Sequence, residues 1–504
     1  MVTLPHMRRL GLLAIAVACA ALAIWVGADV STRGSGLVCI LFLVGILGLM
    51  LAFPRLRLGL FLMLWLGAPP LLDYELAYVA PTAVRTILGL RSQITQPVFS
   101  LLDLSLLLGV TLLLLEKNRK RLHSPRVRGL ISALVLLTAL AGLSGLNSAV
   151  QHPALWTTAM AGVMWPVRAV LAVLSVVTFA RPNGQDGRYL GTMAGLALLL
   201  AESVYVTALK SGSLEAGIVE MTGVIPGPAA TGGLLVLIVP IIAAYTLWSR
   251  RGGSGRTLSA ILALIGLGYA LLTYSRSVYL GTLTSAVILV WCVRNRGGRA
   301  LPAILALLAV LGCALGLASS YHLEKIVGFG VSLEDTLNLG RRMTLWSAAI
   351  HYISESPLLG MGPLMWGGVT QGLGGSTHNA YLQYAAENGL PALILLLSVL
   401  AGAVLGAARQ AFSKGRNRGP DYLWTLGLLA GVCGFLVIQF FESTMGNYRI
   451  GVLIWSLLAT VALQDREEAT DDGGLSTTRA EACPAASRYW GASPRSLRRG
   501  PGDV

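Results

Sequence analysis

Apolar runs of bilayer length recur along the entire chain, and this repetition constrains the fold more than any other feature. A hydrocarbon core needs about 17–25 apolar residues per helix, and within it only helices or closed barrels satisfy their own backbone. The runs fall near 11–28, 36–53, 58–72, 98–115, 130–149, 154–180, 189–209, 232–248, 257–274, 277–293, 300–318, 390–408, 422–440 and 450–463. An all-α polytopic membrane protein of about 12–14 transmembrane helices follows. Composition agrees: 55% of the 504 residues are hydrophobic, 12% are charged, and the mean hydropathy is +0.70.

The net charge of +15 does not imply nucleic acid, because the basic residues sit in short clusters between apolar runs. With a cytoplasmic N-terminus, 28 of the 38 Lys and Arg fall in inside segments and nine outside, with Arg168 within a run. That asymmetry obeys the positive-inside rule. Both termini are therefore expected in the cytoplasm. The expected organisation is a bundle of about eleven spans over 1–318, a large outward loop over 319–389, final spans over 390–463, and a disordered cytoplasmic tail over 464–504. The tail is polar and too poor in apolar residues to bury a core. Five of the six cysteines lie in or beside apolar runs and read as packing residues.

The outward segment of about seventy residues is too long for a turn, and long connections with local structure are commonly functional. Arg342 to Glu355 patterns as a helix presenting Leu345, Trp346, Ala349, Ile350 and Ile353 on one face, stopped by Pro357. Seven glycines between Gly360 and Gly375 predict a mobile loop. Ser376 or Thr377 then caps a second helix with His378 in its first turn, ended by Asn388-Gly389 before Pro391 opens the next span. His378 reads either as a polar residue of a surface helix or as a base near neutral pH.

Arg276 lies at the outer mouth of two closely joined spans and is either a headgroup anchor or an anion ligand. Arg168, after Trp165-Pro166 inside a span, either faces a polar cavity or pairs with an acid such as Asp103 or Glu202. Several arginines and a histidine on one side suit a reaction in which a hydroxyl attacks and a phosphate-bearing group leaves. No metal-ligand spacing and no Asp-x-Asp occurs in the outward segments, which disfavours a metal-dependent transfer.

Thr273-Tyr274-Ser275-Arg276-Ser277, Arg342-Met343-Thr344-Leu345-Trp346, Pro357-Leu358-Leu359-Gly360-Met361-Gly362 and His378-Asn379-Ala380-Tyr381-Leu382-Gln383 with Glu387-Asn388-Gly389 occur in this order. The ordered set resembles the O-antigen ligase and polymerase superfamily over roughly 260–400. The resemblance implies a GT-C-like inner-membrane glycosyltransferase. Such an enzyme takes its glycan from an undecaprenyl-diphosphate carrier at the periplasmic face, uses neither metal nor nucleotide sugar, and delivers to a glycan or lipid acceptor.

It further implies that His378 activates the acceptor hydroxyl. Arg276 and Arg342 would hold the diphosphate, with Arg168 helping and Arg341 able to stand in for Arg342. Ser275, Trp346, Asn379 and Glu387 would support the site. The long polar tail departs from the family pattern. The competing expectation is a transporter of an inorganic anion or a lipid-linked sugar, which would place ionisable groups along the full depth of the bundle.

Overall fold

The computed structural model describes residues 35–67, 100–115, 122–181, 187–210, 228–248, 254–294, 339–370, 376–412 and 420–474, less the single positions 101, 123 and 274. The apolar runs at 11–28 and 300–318, the outward stretch 319–338 and the tail beyond 474 lie outside the described residues. The helices are α1 Ser35–Ala52, α2 Arg57–Gly67, α3 Asp103–Leu115, α4 Pro125–Gln151, α5 Trp156–Phe179, α6 Arg188–Lys210, α7 Pro228–Trp248, α8 Ser254–Leu271 and α9 Arg276–Arg294. After these come α10 Leu339–Glu355, α11 Trp366–Val369, α12 Ala380–Asn388, α13 Leu390–Phe412, α14 Pro420–Ile438 and α15 Tyr448–Gly474.

The described residues contain no strand. Among the described residues, five helices are long and apolar enough to cross a membrane, and six shorter apolar ones accompany them. The protein is a polytopic helical membrane protein. Helices α1 to α9 and α13 to α15 fall on twelve of the apolar runs. Large apolar side chains such as Leu146, Val150 and Ile394 are exposed on α4 and α13, as a lipid-facing surface requires.

Lipid tails are as apolar as leucine, so close packing rather than hydrophobicity must join such helices. Helices α9 and α14 show how. A Cβ added at Gly281 would lie 2.8 Å from the carbonyl oxygen of Gly434, so the two glycines let the backbones touch. Ser285 adds a hydrogen bond from its hydroxyl to the Ala430 carbonyl, 2.9 Å away. Because 281 faces 434 while 285 faces 430, the two helices run antiparallel. Arg276, at the start of α9, therefore lies at the same end of the pair as the chain leaving α14.

A buried charge pair sits in the bundle. Arg168 of α5 is 1% exposed, and its Nε and Nη2 reach the two carboxylate oxygens of Asp103 at 2.9 and 2.8 Å. The Ser100 amide donates to the same carboxylate at 2.8 Å, and the guanidinium lies 4.7 Å from the Tyr448 ring. This settles the partner of Arg168 as Asp103 rather than Glu202. The knot joins α3, α5 and α15.

The tail departs from its expected disorder at the near end, since α15 stays helical to Gly474. Gln464, Arg466, Glu467, Glu468 and Ala469 are all good helix formers, which explains the extension. The chain divides into two units, 1–463 and 464–504.

The buried pair yields a stability prediction. Asp103→Ala strands a buried guanidinium and should lower stability by the roughly 3–5 kcal/mol seen when one partner of a buried pair is removed. The double variant Asp103→Leu/Arg168→Met should recover most of it. Thermal unfolding in detergent measures both; a single variant melting within a degree of wild type would mean that the pair does not hold these helices.

Candidate active site

A second small core builds the cap at one end of the bundle. Leu345 and Ala349 of α10, Met361, Met365, Trp366 and Ala386 cluster around Ala159 of α5. Leu345, Ala349 and half-buried Trp346 fall on the expected face of α10, whereas Ile350 is 58% exposed. Trp346 Nε1 donates to the Thr377 carbonyl at 3.1 Å, which fixes α10 against the strand of chain before α12.

Where it is described, the glycine-rich stretch forms defined turns. Gly360 and Gly362 adopt φ of 69° and 111°, a region that other residues enter only with strain. Those turns aim the Met361 and Gly362 amides at the carbonyls of Ala386 and Glu387, each at 2.9 Å. The Glu387 carboxylate completes the staple, accepting from the Leu364 amide at 3.1 Å and from Gln383 Nε2 at 3.0 Å. Glycine composition predicts mobility only when glycine's freedom is unused; here it is used to make the turns. Glu387 is buried, and burial pushes its carboxyl up to about 7 against the opposing hydrogen bonds. Gly389, at φ 83°, separates α12 from the span α13.

His378 precedes α12 rather than entering its first turn. Asn379 is the N-cap: its Oδ1 accepts from the amides of Tyr381 and Leu382, both at 3.0 Å. Ser376 and Thr377 are occupied otherwise. The Ser376 hydroxyl accepts from the His378 amide at 3.1 Å, and Thr377 Oγ1 donates to the Asn379 carbonyl at 2.7 Å. His378 itself is left at φ 51°, a left-handed conformation for a non-glycine residue. Such outliers persist where the surroundings over-determine them, and they cluster at functional sites.

What receives His378 is Glu442, in the turn between α14 and α15. Its Oε2 lies 3.3 Å from His378 Nδ1, and its Oε1 lies 3.6 Å from Arg342 Nη2. One carboxylate thus faces both groups. The turn is itself held: Gln439 Oε1 accepts from the Met445 amide at 2.8 Å, its Nε2 donates to Thr444 Oγ1 at 2.8 Å, and its carbonyl accepts from the Ala380 amide at 2.9 Å. Sequence reading missed Glu442. The available signal was an acid among polar residues, Gln439 to Asn447, between two apolar runs.

Arg342 lies in the first turn of α10 and is half-buried, whereas Arg341 is exposed beside it. Geometry therefore selects Arg342. Arg276 is exposed at the start of α9, with the Ser275 and Ser277 hydroxyls 2.8 Å apart next to it. Arg168 lies apart from this cluster: its guanidinium is engaged by Asp103 and Tyr448 within the bundle.

Beside the helical bundle, the cap thus brings together the His378 imidazole, the Glu442 carboxylate and the Arg342 guanidinium. The O-antigen ligase family model matches residues 261–397, from α8 into α13, so this region is similar to a family of membrane glycan-handling enzymes. The matched stretch contains Arg276, Arg342, His378 and Glu387 and stops short of Glu442. No curated protein matches the chain.

The stapled loop can be tested directly. Glu387→Gln keeps a carbonyl oxygen for the Leu364 amide and should leave the cap folded. Glu387→Ala leaves buried donors unpaired and should cost roughly 1–3 kcal/mol. Limited proteolysis between 360 and 370 should then accelerate in the alanine variant alone; equal cleavage of the two variants would show that the carboxylate is not the pin.

Proposed function

We propose that the protein is an inner-membrane glycosyltransferase. It transfers or polymerises a glycan from an undecaprenyl-diphosphate carrier at the periplasmic face, in the assembly of a surface polysaccharide. The observation that carries this reading is the convergence of His378 and Arg342 on Glu442 within 3.3 and 3.6 Å. The basic-residue asymmetry supports the orientation: the cap faces the periplasm and the termini the cytoplasm.

In this reaction the acceptor hydroxyl oxygen attacks the anomeric carbon of the donor sugar. The bond from that carbon to the diphosphate oxygen breaks, and its electron pair leaves with the lipid diphosphate. The hydroxyl proton passes to His378 Nε2. Glu442, facing Nδ1, favours the tautomer with hydrogen on Nδ1 and the lone pair on Nε2, and it stabilises the imidazolium that forms. Arg342 and Arg276 receive the charge that develops on the leaving diphosphate, where fixed cationic donors are worth most. Asn379 and Trp346 hold the chain that presents His378.

Arg168 itself does not favour the anion-transport alternative, because Asp103 pairs with it.

Purified protein in nanodiscs, given a synthetic polyprenyl-diphosphate-linked oligosaccharide and an acceptor glycan, tests the proposal. His378→Ala should lower turnover by about 10²–10⁴-fold, with the protein still folded. Glu442→Gln should lower kcat on the order of 10²-fold or more by disturbing the tautomer, while donor KM changes little. Near-normal transfer by His378→Ala would remove the assigned base.

A further inference from the structure

Between α12 and helices of the bundle lies a partly open cavity of about 60 Å³. Residues 380, 381, 383, 384, 387 and 388 of α12 form one wall at helical spacing, and Trp165 of α5 and Ser443 lie across from them. The cavity adjoins the site directly, since Ser443 follows Glu442 in the chain and Tyr381 is three residues past His378.

Its chemistry differs from that of the site. Among the described lining residues there is no Lys, Arg or His, and Glu387 contributes a buried carboxyl. A diphosphate has no cation to meet here and would face an acid. The walls are mainly apolar, with a few polar groups. The buried side chains of Glu387 and Asn388 are among them, 6% and 4% exposed, with that of Gln383. Two further atoms of the lining residues, the Tyr384 hydroxyl and Ser443 Oγ, are buried without a hydrogen-bond partner among the described residues. An unpartnered buried hydroxyl costs stability unless a ligand completes it. Two such atoms, on residues from opposite walls of one cavity, point to a hydroxylated ligand.

The ring of Trp165, 6.0 Å from that of Tyr384, offers an aromatic face beside it. A neutral pyranose matches this arrangement, with C–H groups on its faces and hydroxyls around its edge. Size agrees. At about 10–15 Å³ per water position, the cavity holds about four or five waters, comparable to one sugar ring and far short of an oligosaccharide.

We propose that this cavity is the subsite for one neutral pyranose of the acceptor, which it holds so that a hydroxyl reaches His378. The assignment rests on the transfer reading for its role, but its binding chemistry can be measured separately. Tyr384→Phe and Ser443→Ala remove only atoms that lack partners. A purely structural view therefore expects the double variant to be as stable as wild type or more so, with unchanged kinetics.

The test uses full-length protein in nanodiscs with a panel of methyl glucoside, methyl galactoside and methyl N-acetylglucosaminide, read by saturation-transfer NMR. Wild type should transfer saturation to the ring protons of at least one pyranoside. Tyr384→Phe/Ser443→Ala should reduce it at least fivefold without a lower melting temperature. Ala141→Leu, which fills the cavity from α4, should remove it. No transfer to any pyranoside, or transfer that ignores the double variant, overturns the subsite. In parallel turnover assays the double variant should raise acceptor KM at least fivefold and leave donor KM unchanged. If pyranosides bind as expected but wild type moves no glycan from a lipid diphosphate, the transfer reading fails and the binding site stands. If transfer depends on His378 while binding ignores the cavity variants, the subsite fails alone.

Discussion

A single carboxylate holds the cap in register with the bundle. Glu442 belongs to the turn between two spans, whereas the groups it faces, His378 and Arg342, belong to two different segments of the cap. Electrostatic attraction of this kind is directional only if the turn carrying the acid is stiff. Gln439 makes it so, by bonding Met445 and Thr444 on one side and the first amide of α12 on the other. The cap and the bundle therefore share a hydrogen-bonded joint at the place where the chemistry is assigned.

Helix α5 acts as the strut beneath that joint. Ala159, near its start, belongs to the small core of the cap. Two turns on, Trp165 donates to the Met445 carbonyl at 3.0 Å and packs near Tyr384. Arg168 then locks the helix to α3 through Asp103. The arginine in the membrane and the histidine in the cap are thus connected mechanically, although they do not share a ligand. A buried ion pair is weak evidence for net stability, but removing one partner is costly, and that asymmetry explains why such a pair can set register.

Much of this was legible in the chain. Apolar runs located the spans because bilayer thickness leaves little freedom in helix length. The ordered motifs around Arg276, Arg342 and His378 located the stretch that matches the O-antigen ligase family. What escaped depended on contacts distant in sequence. Glu442 lies 64 positions from His378, and no local pattern links them. Arg168 was read as facing a polar cavity or pairing with an acid such as Asp103 or Glu202, and only packing showed the pair with Asp103. The start of α12 was misplaced because Ser376 and Thr377 were read as its caps, whereas their hydroxyls bond elsewhere and Asn379 takes the cap. The turns of the glycine-rich loop escaped because composition does not reveal which glycines are spent on left-handed turns.

The backbone at His378 has a further consequence. A left-handed residue is oriented by the path of the main chain, so the direction of its Cα–Cβ bond is decided before any rotamer is chosen. Side-chain replacements at this position therefore alter geometry and proton affinity together, with β-branched residues worst tolerated. Asparagine accepts the same conformation and lacks a basic nitrogen. It is consequently the substitution in which the loss of an imidazole can be seen apart from a change in the course of the polypeptide.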